Sequence, residues 1–225
     1  MIATLTRPGL VLDRWLLWLV LILPLVWMTW QYGAETVYYG EYLHWTGVQS
    51  ARLLLLTLAV TPLLRLLPRA AAIRWLMRRR RDLGLVTFFY ALAHTVAYLV
   101  RKSDLPLIAS EALEAGLLTG WIAFLVFIAL AVTSNDASVR ALGRKWRSLH
   151  KTVYVAAILT YLHWVLTAFD PTVGYVHGAV AVVLLLARLR IVRRPTRSFE
   201  HSATQPTDNH LTRTAATPTH TTDPG

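Results

Sequence analysis

The sequence contains no cysteine. That absence excludes disulfides, iron–sulfur clusters, thiolate zinc sites and cysteine redox chemistry within the chain, so any redox role has to use a cofactor held by other ligands. Charge is scarce: Asp, Glu, Lys and Arg make up 16% of the 225 residues, against 55% hydrophobic. Acid is scarcer than base, 12 residues against 23. No glycine-rich dinucleotide fingerprint follows a strand, so the chain lacks the device for taking hydride from a nicotinamide. Internal repeats and β-type alternation are missing too.

What is present is apolar sequence in long runs, with a mean hydropathy of +0.45. Runs of that kind read lipid, not water, as the solvent. Nine tryptophans and nine tyrosines suit interfacial belts. The formal net charge of +11 could point to nucleic acid. However, the bases lie between apolar runs, where they set topology, and no basic soluble domain remains to read a groove. Membrane lipid is the expected surrounding, and no nucleic-acid partner is expected.

A bilayer core needs about 20 apolar residues as helix. Six runs answer to that: 15–32, 50–67, 83–100, 117–133, 149–169 and 174–192, with Pro24 and Pro62 inside the first two. The first lacks a small-residue cleavage site and reads as a retained span. The expected fold is therefore all-α, an integral membrane bundle of six transmembrane helices over 15–192. A short segment, 1–14, precedes it. The Thr- and Pro-rich tail, 193–225, cannot bury a core and is expected to be disordered. Its His201, His210 and His220 have no finger or helical spacing and read as a solvated linker.

Loop charge orients the bundle. Arg65, Arg69, Arg74, Arg78, Arg79, Arg80 and Arg81 lie between runs two and three, and Arg140, Arg144, Lys145, Arg147 and Lys151 between four and five. Arg188, Arg190, Arg193, Arg194 and Arg197 close run six, whereas the stretch 33–49 carries Glu35 and Glu41 and no base. The positive-inside rule then puts both termini and the basic loops in the cytoplasm. The four consecutive arginines, Arg78 to Arg81, could also dock an acidic flavin phosphate or reductase, although topology alone explains them.

The histidines are the polar residues that need a reason. The stretch 144–164 begins basic, turns apolar at His150 and carries His163 near its far end. Thirteen residues of helix put His163 about 20 Å deeper than His150, and His94, eleven residues into its own run, lies about 16 Å in. His94 and His163 thus reach similar depth on parallel helices. With no carboxylate or cysteine beside them, two neutral imidazoles suit the axial positions of a heme iron, because a macrocycle supplies the other four bonds. Phe88, Phe89, Tyr90, Tyr98, Tyr161 and Trp164 could wall such a cofactor. The rival reading is that each histidine hydrogen-bonds across the bundle as packing glue. His150 reads either as a solvated interfacial residue or as a ligand to a second heme. Thirteen residues is about 3.6 turns, so on an ideal helix it does not share a face with His163. His44, just before run two, could touch a quinone or an outer partner, and His177 reads as interfacial.

Taken together, His44-Trp45-Thr46-Gly47, Thr61-Pro62-Leu63-Leu64-Arg65, Arg81-Asp82-Leu83-Gly84-Leu85 leading to His94, Thr133-Ser134, and Leu142-Gly143-Arg144-Lys145-Trp146 running into Leu149-His150, Tyr154 and His163 resemble one family. The chain resembles the MsrQ (YedZ) family, heme-binding membrane subunits of the bacterial periplasmic methionine-sulfoxide reductase system. These belong to the wider group of ferric-reductase-like transmembrane domains. The resemblance covers about residues 10–194. It implies a multi-pass protein of the bacterial inner membrane, with heme b ligated by His94 and His163 and His150 tied to a second heme or its surroundings. It also implies FMN, with electrons from the quinone pool or a cytoplasmic flavin reductase. They would pass to a periplasmic, MsrP-like molybdopterin enzyme that reduces methionine sulfoxide, catalysis lying in that partner. The rivals are a b-heme ferric or quinone reductase without a dedicated partner, and a heme-free transporter or assembly factor.

Overall fold

Apolar sequence in lipid can satisfy its backbone only as helix or closed barrel, and this chain takes the first course. A computed structural model describes residues 8–192, with side chains from 13 to 188. The expectations for the tail and for most of the N-terminal segment lie outside the described residues. Six long helices carry the fold: α1 (Pro8–Gly33), α2 (Tyr39–Leu66), α4 (Arg80–Lys102), α6 (Ala115–Val132), α9 (Val153–Thr167) and α10 (Thr172–Val192). Short helices fill the connections: α3 (Ala71–Arg78), α5 (Leu105–Glu111), α7 (Asp136–Leu142) and α8 (Arg144–Leu149). No strand forms among the described residues. Among the described residues, four helices are long and apolar enough to cross a membrane, within Asp13–Gly33, Tyr39–Leu66, Arg80–Lys102 and Ala115–Val132, and Thr172–Arg188 is a shorter apolar helix. Large apolar side chains on these elements face outward, among them Trp15, Leu125 and Val183. The protein is a multi-pass membrane protein.

Neighbouring helices close a ring in the order α2, α4, α6, α9, α10 and back to α2, while α1 leans on the outside against α2 and α4. The core inside the ring is built from small and large residues in alternation. Ala51, Leu54 and Leu58 of α2 meet Phe127 of α6, Ala156, Ala157, Tyr161 and Trp164 of α9, and Ala181 of α10. Lipid gives helices no hydrophobic reason to associate, so polar contacts have to pin them. Tyr161 donates to the Ala51 carbonyl at 2.8 Å, Ser50 to the Thr87 carbonyl at 3.0 Å, and Tyr90 to the Leu21 carbonyl at 2.8 Å. α1 is held along its length, with Thr29 and Tyr32 against Tyr42 at one end and Asp82 at the other. Buried Asp82 accepts from Trp18 Nε1 at 3.1 Å and from Arg14 at 3.1 and 3.0 Å.

Local signals set the helix ends. Ser103 stops α4 in the left-handed region, and the Asp104 side chain caps α5 by accepting from the Leu107 N–H. Asn135 caps α7, and Gly143, at φ +50° and ψ −119°, makes a corner into α8 that a side chain would oppose. Two boundaries and one side chain stand out against the sequence reading. α2 begins at Tyr39, eleven residues before the expected start at 50, because its polar residues find partners on the helix itself. Glu41 sits in the favourable first turn, and the Thr46 hydroxyl donates back to the Tyr42 carbonyl at 2.8 Å. The run expected from 149 is interrupted by a 3-10 turn at His150–Thr152, and α9 starts only at Val153. Arg188, grouped above with the basic loop charges, is instead buried on α10. It donates to Tyr154 Oη at 2.7 Å, to the Leu58 carbonyl at 2.8 Å and to Thr61 Oγ1 at 2.8 Å, tying α10 to α9 and α2.

Candidate functional site

The geometry starts with two helix pairs. α4 packs along α2, and α9 along α6. In the first pair the His94 Nδ1–H donates to the Leu43 carbonyl of α2 at 2.9 Å, and its ring lies against Gly47. In the second pair the His163 Nδ1–H donates to the Gly116 carbonyl of α6 at 2.9 Å, and its ring lies against Gly120. Both histidines use the same seat, a helix carbonyl with a glycine four residues further on. A helical side chain leans over the turn before it, so glycine at that position leaves the carbonyl uncovered. A methyl group at 120 would stand 2.7 Å from His163 Nδ1, and one at 47 would stand 3.0 Å from His94 Nδ1. Only glycine lets either ring approach so closely.

Because a carbonyl can only accept, each Nδ1 carries the proton, and each Nε2 keeps its lone pair for another partner. Such outer hydrogen bonds also orient metal-ligating imidazoles and raise their basicity. The two rings stand perpendicular with centroids 6.2 Å apart. Two imidazoles sharing one metal span a similar distance, given metal–nitrogen bonds of about 2.0 Å and roughly 1.1 Å from ring centre to nitrogen. No set of three or more His, Cys, Asp or Glu that could hold a metal ion occurs among the described residues. A metal here would need its remaining ligands from a macrocycle.

The pair opens on a cavity of about 480 Å³ enclosed by α2, α4, α6 and α9, within the usual range for cofactor sites. Leu117, Trp121, Ala123, Phe124 and Phe127 of α6 wall one side, with Ala51 and Val48 at the back. Tyr39, Lys102, Glu111 and Phe169 stand around the mouth. Of the six aromatic residues expected as walls, Tyr98 and Trp164 line the cavity. Tyr161 and Tyr90 are used in packing hydrogen bonds, Phe89 meets Trp18, and Phe88 stacks behind Phe124. His44, expected ahead of a span, is on α2 and lines this same cavity.

His150 belongs to a different cluster. Its Nε2 is 3.1 Å from Thr133 Oγ1, and its ring stacks on Trp146 at 3.9 Å. The Trp146 indole donates to the Thr133 carbonyl at 2.8 Å, and the Arg81 guanidinium lies 5.6 Å from the Trp146 ring while pairing with Asp136 at 2.6 Å. Arg78 is exposed, Arg79 and Arg80 are half-buried, and Arg81 is committed to Asp136, so the four arginines do not present one uniform face. His177 turns back on its own helix, to the Val173 carbonyl at 2.8 Å.

Sequence reasoning missed Gly116 and Gly120 altogether and did not connect Gly47 with His94. One available signal was the four-residue glycine spacing at 116 and 120, which marks close helix approach in membranes.

Residues 46–161 match the family described as ferric reductase like transmembrane component, a stretch that includes His94, His150, Gly47 and Gly120 and ends two residues before His163. Proteins from Brucella ovis, Brucella canis and Brucella suis are each 37% identical to the chain over 195 residues, 81% of this chain and 84% of theirs. Each is described as a protein-methionine-sulfoxide reductase heme-binding subunit MsrQ. Given this extent of likeness, the chain belongs to the MsrQ family of ferric-reductase-like transmembrane proteins.

Proposed function

We propose that the chain is a heme-carrying electron-transfer subunit, and that the heme is one b-type group held between His94 and His163. The observation that carries this reading is the repeated seat: two imidazoles, each fixed by a carbonyl and a glycine of a neighbouring helix, facing one apolar cavity at 6.2 Å. Packing glue alone would not need the same close glycine seat twice. When bound, the heme supplies a one-electron iron couple. The protein's part is to hold both Nδ1 protons on carbonyls so that Nε2 faces inward, and to keep water from the back wall with Ala51, Phe127 and Ala123.

In this reading the six long helices all span the bacterial inner membrane, with both termini and the arginine-rich end cytoplasmic. Electrons come in near that end from the quinone pool or a cytoplasmic flavin reductase, with FMN, Arg78–Arg81 and His150 in that region. They leave at the cavity mouth for a periplasmic molybdopterin enzyme that repairs methionine sulfoxide; the relatives' name supports this reading only in that it names a protein-methionine-sulfoxide reductase. His150 keeps its place as the candidate ligand of a second heme, for which its Nε2 would have to leave Thr133.

The purified protein should show a b-type absorbance spectrum on dithionite reduction. His94→Ala and His163→Ala should each abolish it, and an unchanged spectrum in either variant would refute the ligand assignment. The family match also favours a second reading, reduction of ferric iron or quinone without a dedicated partner. Unimpaired repair of oxidised periplasmic methionines after deletion of the gene would select it.

A further inference from the structure

Among the residues lining the cavity, two carry a full charge, Lys102 and Glu111. They meet at the mouth, Nζ to Oε1 at 2.6 Å, and the Tyr98 hydroxyl donates to the other carboxylate oxygen at 2.9 Å. The pair is partly sheltered, with side-chain exposures of 33% and 21%. Lys102 ends α4 two turns beyond His94, about 12 Å of helix rise. The opposite end carries no charged group and is closed, with Ala51, Ala123 and Phe127 buried and the Ser50 and Thr160 hydroxyls already donating to helix carbonyls.

A heme brings two carboxylate arms. Turned toward the back wall, they would be ionised groups in an apolar, water-free layer, which costs several kcal/mol or more. Turned toward the mouth, they meet water and the one cation of the lining. We propose that Lys102 anchors a carboxylate arm of the bound heme at the cavity mouth, with Glu111 competing for the same ammonium. The Tyr98 hydroxyl keeps Glu111 within reach, so the lysine is shared between an internal and an external carboxylate. This rests on the heme reading above and assigns the orientation of the group within the cavity.

The test uses the full chain in detergent, with hemin loss followed by transfer to excess apomyoglobin and the midpoint potential measured by reductive titration. Lys102→Met removes the anchor. It should release hemin about tenfold faster, the loss of one charge-assisted hydrogen bond, and its midpoint should fall because a nearby positive charge favours the reduced state. Glu111→Gln removes the competitor, so its hemin loss should slow and its midpoint should rise. Lys102→Arg keeps the cation and should restore wild-type behaviour. If the pair only staples α4 to α5, both neutral variants break the same bridge and their hemin-loss rates must move together, whereas the midpoints follow the charge removed in either case. Hemin-loss changes of the same sign, or no change in either variant, overturn the proposal. Wild-type protein that takes up no hemin refutes instead the heme reading beneath it.

Discussion

Gly120→Ala is the sharpest test of the histidine seats, because its cost follows directly from distances. The added methyl carbon would lie 2.7 Å from His163 Nδ1, 2.8 Å from Cε1 and 3.1 Å from Cγ, whereas ordinary contact begins at 3.4 Å. The ring must therefore retreat by about 0.7 Å. A retreat of that order stretches the 2.9 Å bond to the Gly116 carbonyl beyond useful length. Overpacking costs about 1–3 kcal/mol and the lost bond about 0.5–1.5 kcal/mol, while replacing a helical glycine by alanine returns up to about 1 kcal/mol. The net loss of about 1–3 kcal/mol weakens hemin binding by roughly one to two decades. Gly47→Ala should do the same more mildly, since its contacts to His94 are 3.0 and 3.1 Å. Gly84→Ala meets nothing within 4 Å and should bind hemin as the wild type does. Hemin titration of the three purified variants, followed by Soret absorbance, measures the order. Wild-type affinity in Gly120→Ala, or a greater loss in Gly84→Ala than in Gly47→Ala, would refute the seat as described.

Two further outcomes are expected. Asp82→Leu removes the shared acceptor of Trp18 and Arg14 and should cost about 1–3 kcal/mol, confined to α1, which lines no part of the cavity. Cleavage after Glu35 by a glutamate-specific protease should accelerate at unchanged hemin affinity, and a simultaneous loss of hemin affinity would contradict this separation. Acid should weaken the mouth selectively. Lys102 and then Tyr98 hold the Glu111 carboxyl below its ordinary value of 4.5. A depressed folded value means a contribution to stability that is complete above the ordinary value and disappears as pH falls through the lower, folded one. The melting temperature should thus decline more steeply below about pH 4.5 in the wild type than in Glu111→Gln, and parallel curves would contradict that assignment.

The long runs were legible because hydropathy and length act on a scale of twenty residues, which no single polar group disturbs. The boundary of α2 was not. Glu41, His44, Thr46 and Gln49 look like loop when each is counted against lipid, yet a helix end near an interface can orient them along one side or satisfy them on its own backbone. Arg188 misled in the opposite direction. Its position at the end of an apolar run suggested a loop charge, and only its partners on α2 and α9, more than thirty residues away in sequence, reveal it as buried. His94 and His163 were legible as a pair because depth is nearly linear in residue number. Their azimuth is not readable that way, which is why four of the six expected wall aromatics face elsewhere and the walls come from α6.

The glycine seats expose the deeper limit of reading one chain in order. In isolation Gly47 and Gly120 register as a cost, each giving up about 1 kcal/mol of helix propensity relative to alanine. Their purpose lies on another helix, 47 residues from Gly47 at His94 and 43 residues from Gly120 at His163. The physics that makes them necessary also explains the assembly. Each histidine takes its Nδ1 hydrogen bond within its own pair, α4 on α2 or α9 on α6. The shared cavity lies where the pairs face each other, across α4 and α6 and across α2 and α9. A ligand gripped by both imidazoles therefore bridges that facing, and by mass action its binding stabilises the interface that creates its own site.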